Sequence, residues 1–136
     1  MGASTGTPSG EEADADADYG AALDHIGETV EGAIVACGYS FGAGAAVRAS
    51  TGRPRVRRLV LVAPVPALID AAALRGFGGS VLAISGARDT LAPPDAVKTL
   101  LAPTADARLV VMPDADHFFG TNLTTISRAI TENLTP

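Results

Sequence analysis

The stretch at residues 33–44, AIVACGYSFGAG, restricts the possible fold of this chain more than any other part of the sequence. Five small or apolar residues, typical of a buried strand, lead directly into GYSFG at 38–42, and small residues suited to a closely packed helix follow. G-x-S-x-G between a strand and a helix predicts a sharp, strained turn with the serine at its tip. The residues two before and two after Ser40 must then be very small. We expect the turn to hold the Ser40 hydroxyl at the carboxyl end of the strand, beside the N-terminus of the helix.

Three further apolar runs follow this stretch, and segments with helical character separate them. Near-continuous apolar runs are typical of parallel strands that are buried on both faces. Strands that alternate with helices predict βαβ units with right-handed connections. We therefore expect an α/β fold with a parallel four-stranded sheet and flanking helices. The expected strands are 33–37, 57–63, 80–85 and 107–112, and the expected helices are 19–31, 41–51, 67–75, 94–101 and 120–133.

Acidic residues are concentrated at the N-terminus. The formal net charge is −5, and residues 1–32 contain eight acidic and no basic residues, whereas the rest contains seven acidic and ten basic ones. Residues 1–18 are small, polar and acidic without helical periodicity, so we expect a flexible acidic segment there rather than a partner-binding tail. A chain of 136 residues is long enough for one hydrophobic core. We therefore expect a single domain over residues 19–136.

Four arginines lie at the start of the second strand and allow two interpretations. Arg53, Arg55, Arg57 and Arg58 could form a phosphate-binding patch, or they could lie in a solvated turn. No interleaved aromatic residues and no nucleic-acid-binding motif accompany them, which favours the solvated turn. We expect no nucleic-acid partner.

The single cysteine and the absence of targeting signals indicate the compartment. Cys37 lies in an apolar strand, so we expect a buried thiol that forms no internal disulfide. The first residues do not resemble a signal peptide, and no apolar run approaches the roughly 20 residues that a membrane span needs. No cluster of His, Cys, Asp or Glu has metal-ligand spacing, and His25 is expected to have no role. We expect a cytoplasmic protein with no membrane contact, metal or cofactor.

Three expected strands each end at a residue suited to nucleophilic catalysis. Ser40 follows the first strand, Asp89 the third and His117 the fourth. The carboxyl ends of parallel strands share one edge of the sheet, where ligands bind in open α/β folds, so these residues should converge. A histidine can remove the proton of a serine hydroxyl, and a carboxylate can orient that histidine. The backbone N–H of Phe41 would be an oxyanion donor at the helix N-terminus.

Each of these residues also has a structural interpretation. Ser40 could be only a small residue in a tight turn, Asp89 a turn-capping carboxylate, and His117 a surface histidine. The chain order Ser, Asp, His is, however, the order of an α/β-hydrolase triad. A nucleotide-binding βαβ domain is disfavoured, because the start of the helix that follows Ser40 matches G-x-G-x-x-G only in part.

Four segments resemble the C-terminal half of small proteins of the α/β-hydrolase superfamily: GYSFGAGAAVRAS, RRLVLVAPVP, VLAISGARDTLAPPDAV and VVMPDADHFF. The nearest group is that of compact bacterial hydrolases similar to dienelactone hydrolases and acyl-peptidase domains, and the resemblance covers about residues 19–134. It implies that Ser40 is the nucleophile, Asp89 the acidic member, His117 the base, and the Phe41 N–H an oxyanion donor. It implies a carboxylesterase-like serine hydrolase that cleaves small esters through an acyl-enzyme.

This sequence departs from the family pattern before residue 33. Family members typically have four earlier strands, and the loop after the third supplies a second oxyanion N–H; nothing here resembles them. The resemblance therefore implies a truncated, minimal α/β-hydrolase fold in which strand 33–37 is an exposed edge. We expect two chains to cover that edge as a homodimer, although residues 1–18 could fold over it instead. The alternative function is a weakly active or inactive remnant that serves as a structural or binding domain.

Overall fold

The computed structural model describes residues 12–120 and 123–134, and four parallel strands form one sheet in the order β1-β2-β3-β4. The strands are Ile34–Tyr39 (β1), Val56–Val62 (β2), Ser80–Gly86 (β3) and Ala107–Met112 (β4). The helices are Glu12–Thr29 (α1), Phe41–Ser50 (α2), Ala71–Arg75 (α3), Pro94–Leu101 (α4) and Leu123–Leu134 (α5). The expected parallel α/β fold is confirmed. The expected helix over 67–75 is divided into a 3₁₀ turn at Pro66–Leu68 and the short α3.

Both faces of the central strands are buried. Leu59 and Leu61 of β2 belong to one hydrophobic cluster, together with residues of α1, α2, α3 and α4. Val60, between them, belongs to a second cluster on the opposite face, together with residues of α5. All three side chains are fully buried. Alternate residues of a strand point to opposite faces, so a strand covered on both faces needs the continuous apolar run seen in the sequence.

Helix α1 begins earlier than its sequence indicated. It starts at Glu12, so the expectation of a flexible segment is wrong for residues 12–18, while residues 1–11 of that segment lie outside the described part of the chain. Two ion pairs hold α1 against α2 and the loop that follows α2. Asp16 accepts a 2.6 Å hydrogen bond from Arg48, and Asp24 accepts two of 3.0 Å from Arg53. Acidic residues also stabilise the N-terminal end of a helix, because that end carries a partial positive charge. The sequence prediction began α1 too late because the hydrophobic periodicity of a segment does not show its ion pairs with distant residues.

The arginines near β2 bind helix termini. Arg55 donates to one carbonyl in the last turn of α1 and to two in the segment just after it, and Arg58 donates to two carbonyls at the C-terminal end of α5. Arg53 bonds a carbonyl of α2 in addition to Asp24. The last carbonyls of a helix lack intrahelical partners, and cationic groups stabilise that end. These arginines therefore lie in a largely exposed turn and at the start of β2, as expected, and three of them bind acceptors of this chain rather than forming a free phosphate-binding patch.

Strand β1 is covered on one face only. Ile34 and Ala36 are buried in the core, whereas Val35, Cys37 and Tyr39 are exposed. The expectation of a buried Cys37 thiol is therefore wrong, because the strand alternates and no described helix covers its second face. β1 pairs with β2 on one side, and its other edge faces no strand within residues 12–120 and 123–134.

Candidate active site

Ser40 lies in a strained turn between β1 and α2. Its backbone has φ 54° and ψ −116°, a combination that residues with a side chain rarely adopt. The Ser40 N–H donates to the Val62 carbonyl of β2 at 2.9 Å, and its carbonyl accepts from the Ala43 N–H at 3.0 Å. The sheet holds the turn on one side and the first turn of α2 holds it on the other. The predicted strand–turn–helix arrangement around Ser40 is therefore present.

The two glycines of the motif differ in their surroundings. A Cβ added at Gly38 would lie 2.2 Å from the Gly42 carbonyl oxygen and 2.6 Å from the Ala43 Cα. At Gly42, by contrast, no atom beyond its chain neighbours and its own helix backbone lies within 4 Å of an added Cβ. The need for a very small residue two positions before Ser40 is met. The expectation that the residue two positions after Ser40 must also be very small is wrong, because there is open space beside Gly42.

The structure brings Ser40, Asp89 and His117 together in a hydrogen-bonded line. Ser40 Oγ is 2.8 Å from His117 Nε2, although the two residues are 77 positions apart. His117 Nδ1 is 2.8 Å from Asp89 Oδ2, across 28 positions. The side chains of His117 and Asp89 are 8% and 0% exposed. A buried carboxylate facing Nδ1 favours the tautomer protonated there, which leaves Nε2 free to accept a proton from the serine.

Each carboxylate oxygen of Asp89 has a different task. Oδ1 accepts from the backbone N–H groups of Leu91 and Ala92 at 2.8 and 2.7 Å, whereas Oδ2 faces His117. The two interpretations of Asp89 from the sequence, a turn-capping carboxylate and a partner of the histidine, therefore describe its two oxygens. The turn holds the carboxylate in one orientation, with Oδ2 directed at the imidazole.

The loop that carries His117 depends on a close backbone approach. Gly86, at the end of β3, lies so near this loop that an added Cβ would be 2.4 Å from the Ala115 carbonyl oxygen. One oxygen of Asp116 accepts from the backbone N–H groups of the two residues after His117. Phe119 is 1% exposed and anchors the far end in the core. These contacts place His117 between β3 and the Ser40 turn.

The N-terminus of α2 is a candidate site for binding negative charge. The backbone N–H of Phe41 is the first of that helix, and it has no hydrogen-bond acceptor among the residues that the structure describes. The first N–H groups of a helix lack intrahelical acceptors and carry a partial positive charge. Such a group can donate to a negatively charged oxygen held beside Ser40.

Sequence reasoning missed Tyr39, which occupies a variable position of the motif. Its hydroxyl donates to the His117 carbonyl, and the Tyr39 and His117 rings lie 5.8 Å apart between centroids at an angle of 32°. The Phe118 ring also contacts the His117 ring, edge-on and with the two centroids 5.5 Å apart. Position inside G-x-S-x-G was the only signal available, and it carries no information about a partner 78 positions away.

Beyond the three aligned residues, the described part of the chain has a separate cavity but no candidate metal site or membrane span. A cavity of about 470 Å³ lies at the N-terminal ends of β2 and β3, lined by Arg53 and Phe77 among others, and touches none of the three aligned residues. Within the described ranges, no group of three or more His, Cys, Asp or Glu side chains could hold a metal ion. No helix in those ranges is both long enough and apolar enough to cross a membrane.

A parallel sheet with a strained serine turn, an aspartate and a histidine at its carboxyl edge defines the α/β-hydrolase class. The sequence profile of the dienelactone hydrolase family matches residues 3–132. The chain belongs to the dienelactone hydrolase family. The resemblance drawn from the sequence is thereby confirmed.

Solved structures agree on the fold. An alpha-beta serine hydrolase homologue from Coxiella burnetii is 25% identical, with a TM-score of 0.85 over 99% of this chain and 65% of its own. A protein of unknown function from Agrobacterium tumefaciens is 26% identical, with a TM-score of 0.67 over 98% of this chain and 66% of its own. Est1E from Butyrivibrio proteoclasticus, at 15% identity, shares the fold with a TM-score of 0.72 over 84% of this chain and 65% of its own. No curated protein sequence matches. The chain thus spans just under two thirds of the length of these three structures.

Proposed function

We propose that this chain carries the catalytic residues of a serine hydrolase that cleaves small carboxylic esters. The observation that supports the proposal is the line from Ser40 Oγ through both nitrogens of His117 to Asp89 Oδ2, with two separations of 2.8 Å. A serine hydroxyl is a weak nucleophile until a base removes its proton, and this geometry supplies the base and the group that orients it. The chemistry requires neither a cofactor nor a metal.

The proposed reaction has two halves. In the first, Ser40 Oγ forms a bond to the ester carbonyl carbon while its proton moves to His117 Nε2, and the carbonyl electron pair moves onto oxygen. The Phe41 N–H donates to that oxyanion. Collapse of the intermediate breaks the bond to the alcohol oxygen, which leaves with the proton from His117, and an acyl-enzyme remains on Ser40. In the second half, water repeats the sequence and releases the acid. Asp89 stabilises the imidazolium in both halves.

The second candidate function is a weakly active or inactive domain with a structural or binding role. Its support is the incomplete oxyanion site: the resemblance places a second N–H donor in a loop that residues 12–120 and 123–134 do not provide. Loss of one oxyanion donor lowers kcat by about 10²–10³ in comparable sites. We therefore expect any ester turnover by this chain alone to be slow.

A fluorophosphonate probe with peptide mapping tests the proposal. We expect the probe to label Ser40 and the protein to hydrolyse p-nitrophenyl acetate and butyrate. Ser40→Ala gives the background, and Ser50→Ala is a matched control, because the Ser50 hydroxyl lies at the other end of α2 and only donates to the Ala46 carbonyl. Absence of both labelling and turnover above background, or a label on a different residue, would reject the enzyme and favour the second candidate.

We further propose that the free edge of β1 pairs with the same edge of a second copy, in a cytoplasmic homodimer with no nucleic-acid or membrane partner. Because the Ser40 N–H faces β2, the backbone groups of Val35, Cys37 and Tyr39 face the other edge, where the Cys37 carbonyl accepts from the Tyr19 hydroxyl of α1 at 2.6 Å. The Val35 and Tyr39 side chains beside that edge are 40% and 45% exposed. No strand among the described residues pairs with this edge, and a strand edge without a partner strand is a template for another strand. Light scattering at micromolar concentration should give twice the chain mass, and Val35→Lys should give a monomer; a monomeric wild type would contradict the dimer.

A further inference from the structure

We propose that Tyr39 is a positioning residue that holds the His117 imidazole in line with Ser40. This inference rests on the proposed function and concerns the same site. Tyr39 is the last residue of β1 and directly precedes Ser40. Its hydroxyl donates to the His117 carbonyl, and its ring contacts the His117 ring. One side chain on the strand that carries the nucleophile therefore restrains both the backbone and the ring of the histidine.

The other contacts of His117 leave one motion open. Asp89 and Ser40 each hold one ring nitrogen through a single hydrogen bond, and the imidazole can still tilt about the line that joins these two bonds. Phe118 contacts the ring edge-on, but its side chain is 73% exposed and so is weakly restrained itself. The Tyr39 ring lies beside the imidazole, with centroids 5.8 Å apart and the ring planes inclined by 32°, and it opposes a further tilt. The hydrogen bond from the Tyr39 hydroxyl to the His117 carbonyl also fixes the distance between β1 and the loop that carries His117.

The Tyr39 hydroxyl keeps its proton under ordinary conditions. Partial burial raises the pKa of Tyr39 above its usual value, and the nearby carboxylates of Asp89 and Asp116 raise it further. The phenol therefore acts as a donor to the His117 carbonyl over the whole range in which a histidine base works. Because the donor and the carbonyl persist, the restraint does not depend on the charge of the imidazole.

The chain contains a matched control for this hydrogen bond. It has two tyrosines, and the other, Tyr19 on α1, likewise donates to a backbone carbonyl, that of Cys37, at 2.6 Å. Tyr39→Phe and Tyr19→Phe therefore each remove a phenol hydroxyl that donates to a backbone carbonyl. Only the first removes a contact with His117. The chain also has two histidines, and the second, His25, is exposed on α1 and serves as an internal reference.

The experiment compares both variants with wild type by two readouts. In Tyr39→Phe we expect the rate constant for fluorophosphonate labelling to fall about tenfold, equal to about 1.4 kcal/mol of activation free energy, which is what one hydrogen bond can contribute. We expect the imidazole NMR signals of His117 to shift and broaden while those of His25 stay unchanged. Tyr19→Phe should leave the labelling rate and the NMR signals of both histidines as in wild type. The decrease in Tm relative to wild type should be similar for the two variants.

Three outcomes overturn the positioning role. They are a Tyr39→Phe labelling rate equal to that of Tyr19→Phe, unchanged His117 signals, and loss of cooperative unfolding in Tyr39→Phe alone, which would assign Tyr39 to folding. The NMR readout does not require activity. If wild type is not labelled at all, the proposed hydrolase function fails, while the His117 signals still decide whether Tyr39 positions the ring.

Discussion

Replacement of Asp89 by asparagine is expected to lower fluorophosphonate labelling and ester turnover by about 10⁴, the loss seen when the aspartate of a serine triad is replaced by asparagine. The reason lies in the two carboxylate oxygens. Oδ1 accepts from the N–H groups of Leu91 and Ala92, so asparagine must turn its carbonyl oxygen toward them. Its NH₂ group then faces His117 Nδ1. A donor in that place selects the tautomer with its proton on Nε2, which cannot accept the proton of Ser40.

Asp116→Asn is the matched control for this change. Asp116 lies next to His117 and accepts from the Phe118 and Phe119 N–H groups through one oxygen, which an asparagine carbonyl can replace. We expect its labelling rate to stay close to that of wild type. Both variants should keep most of their thermal stability, since the acceptor of each turn survives. If Asp89→Asn retained most of the labelling rate, His117 would not act as the base through the tautomer that Asp89 selects.

Replacement of Gly38 by alanine is expected to destabilise the Ser40 turn severely. The new Cβ would lie 2.2 Å from the Gly42 carbonyl oxygen, and that contact involves backbone on both sides, so no side chain can move to relieve it. Relief requires α2 to shift away from β1. Overpacking of this kind costs about 1–3 kcal/mol or more, against a total stability of about 5–15 kcal/mol for a typical domain. We expect a loss of at least about 3 kcal/mol in the free energy of unfolding, measured by urea denaturation, together with loss of probe labelling.

Gly42→Ala provides the contrast within the same motif. No atom outside its own helix and chain neighbours lies within 4 Å of the added methyl group. Alanine is favoured over glycine inside a helix by about 1 kcal/mol. We expect Gly42→Ala to be as stable as wild type or more stable. Equal damage from the two substitutions would show that the close approach of Gly38 to α2 is not what restricts the turn.

The sequence alone was sufficient for the order and type of the elements. Apolar runs such as 57–63 can be buried on both faces only in a covered parallel sheet, and such a sheet places the carboxyl ends of its strands along one edge. That rule alone brings Ser40, Asp89 and His117 to one edge of the sheet. The strained turn was also readable, because few backbone arrangements require glycine two residues before a serine between a strand and a helix.

Tertiary structure decided what local patterns cannot encode. The start of α1 at Glu12 is supported by a tertiary contact, the ion pair of Asp16 with Arg48 of α2. The exposure of Cys37 depends on which face of β1 has a covering layer. The contact of Tyr39 with His117 joins residues 78 positions apart. Hydrophobic periodicity in a sequence shows which side of a segment is buried. It does not show which distant residue a side chain will contact, because that depends on how whole helices and strands pack in three dimensions.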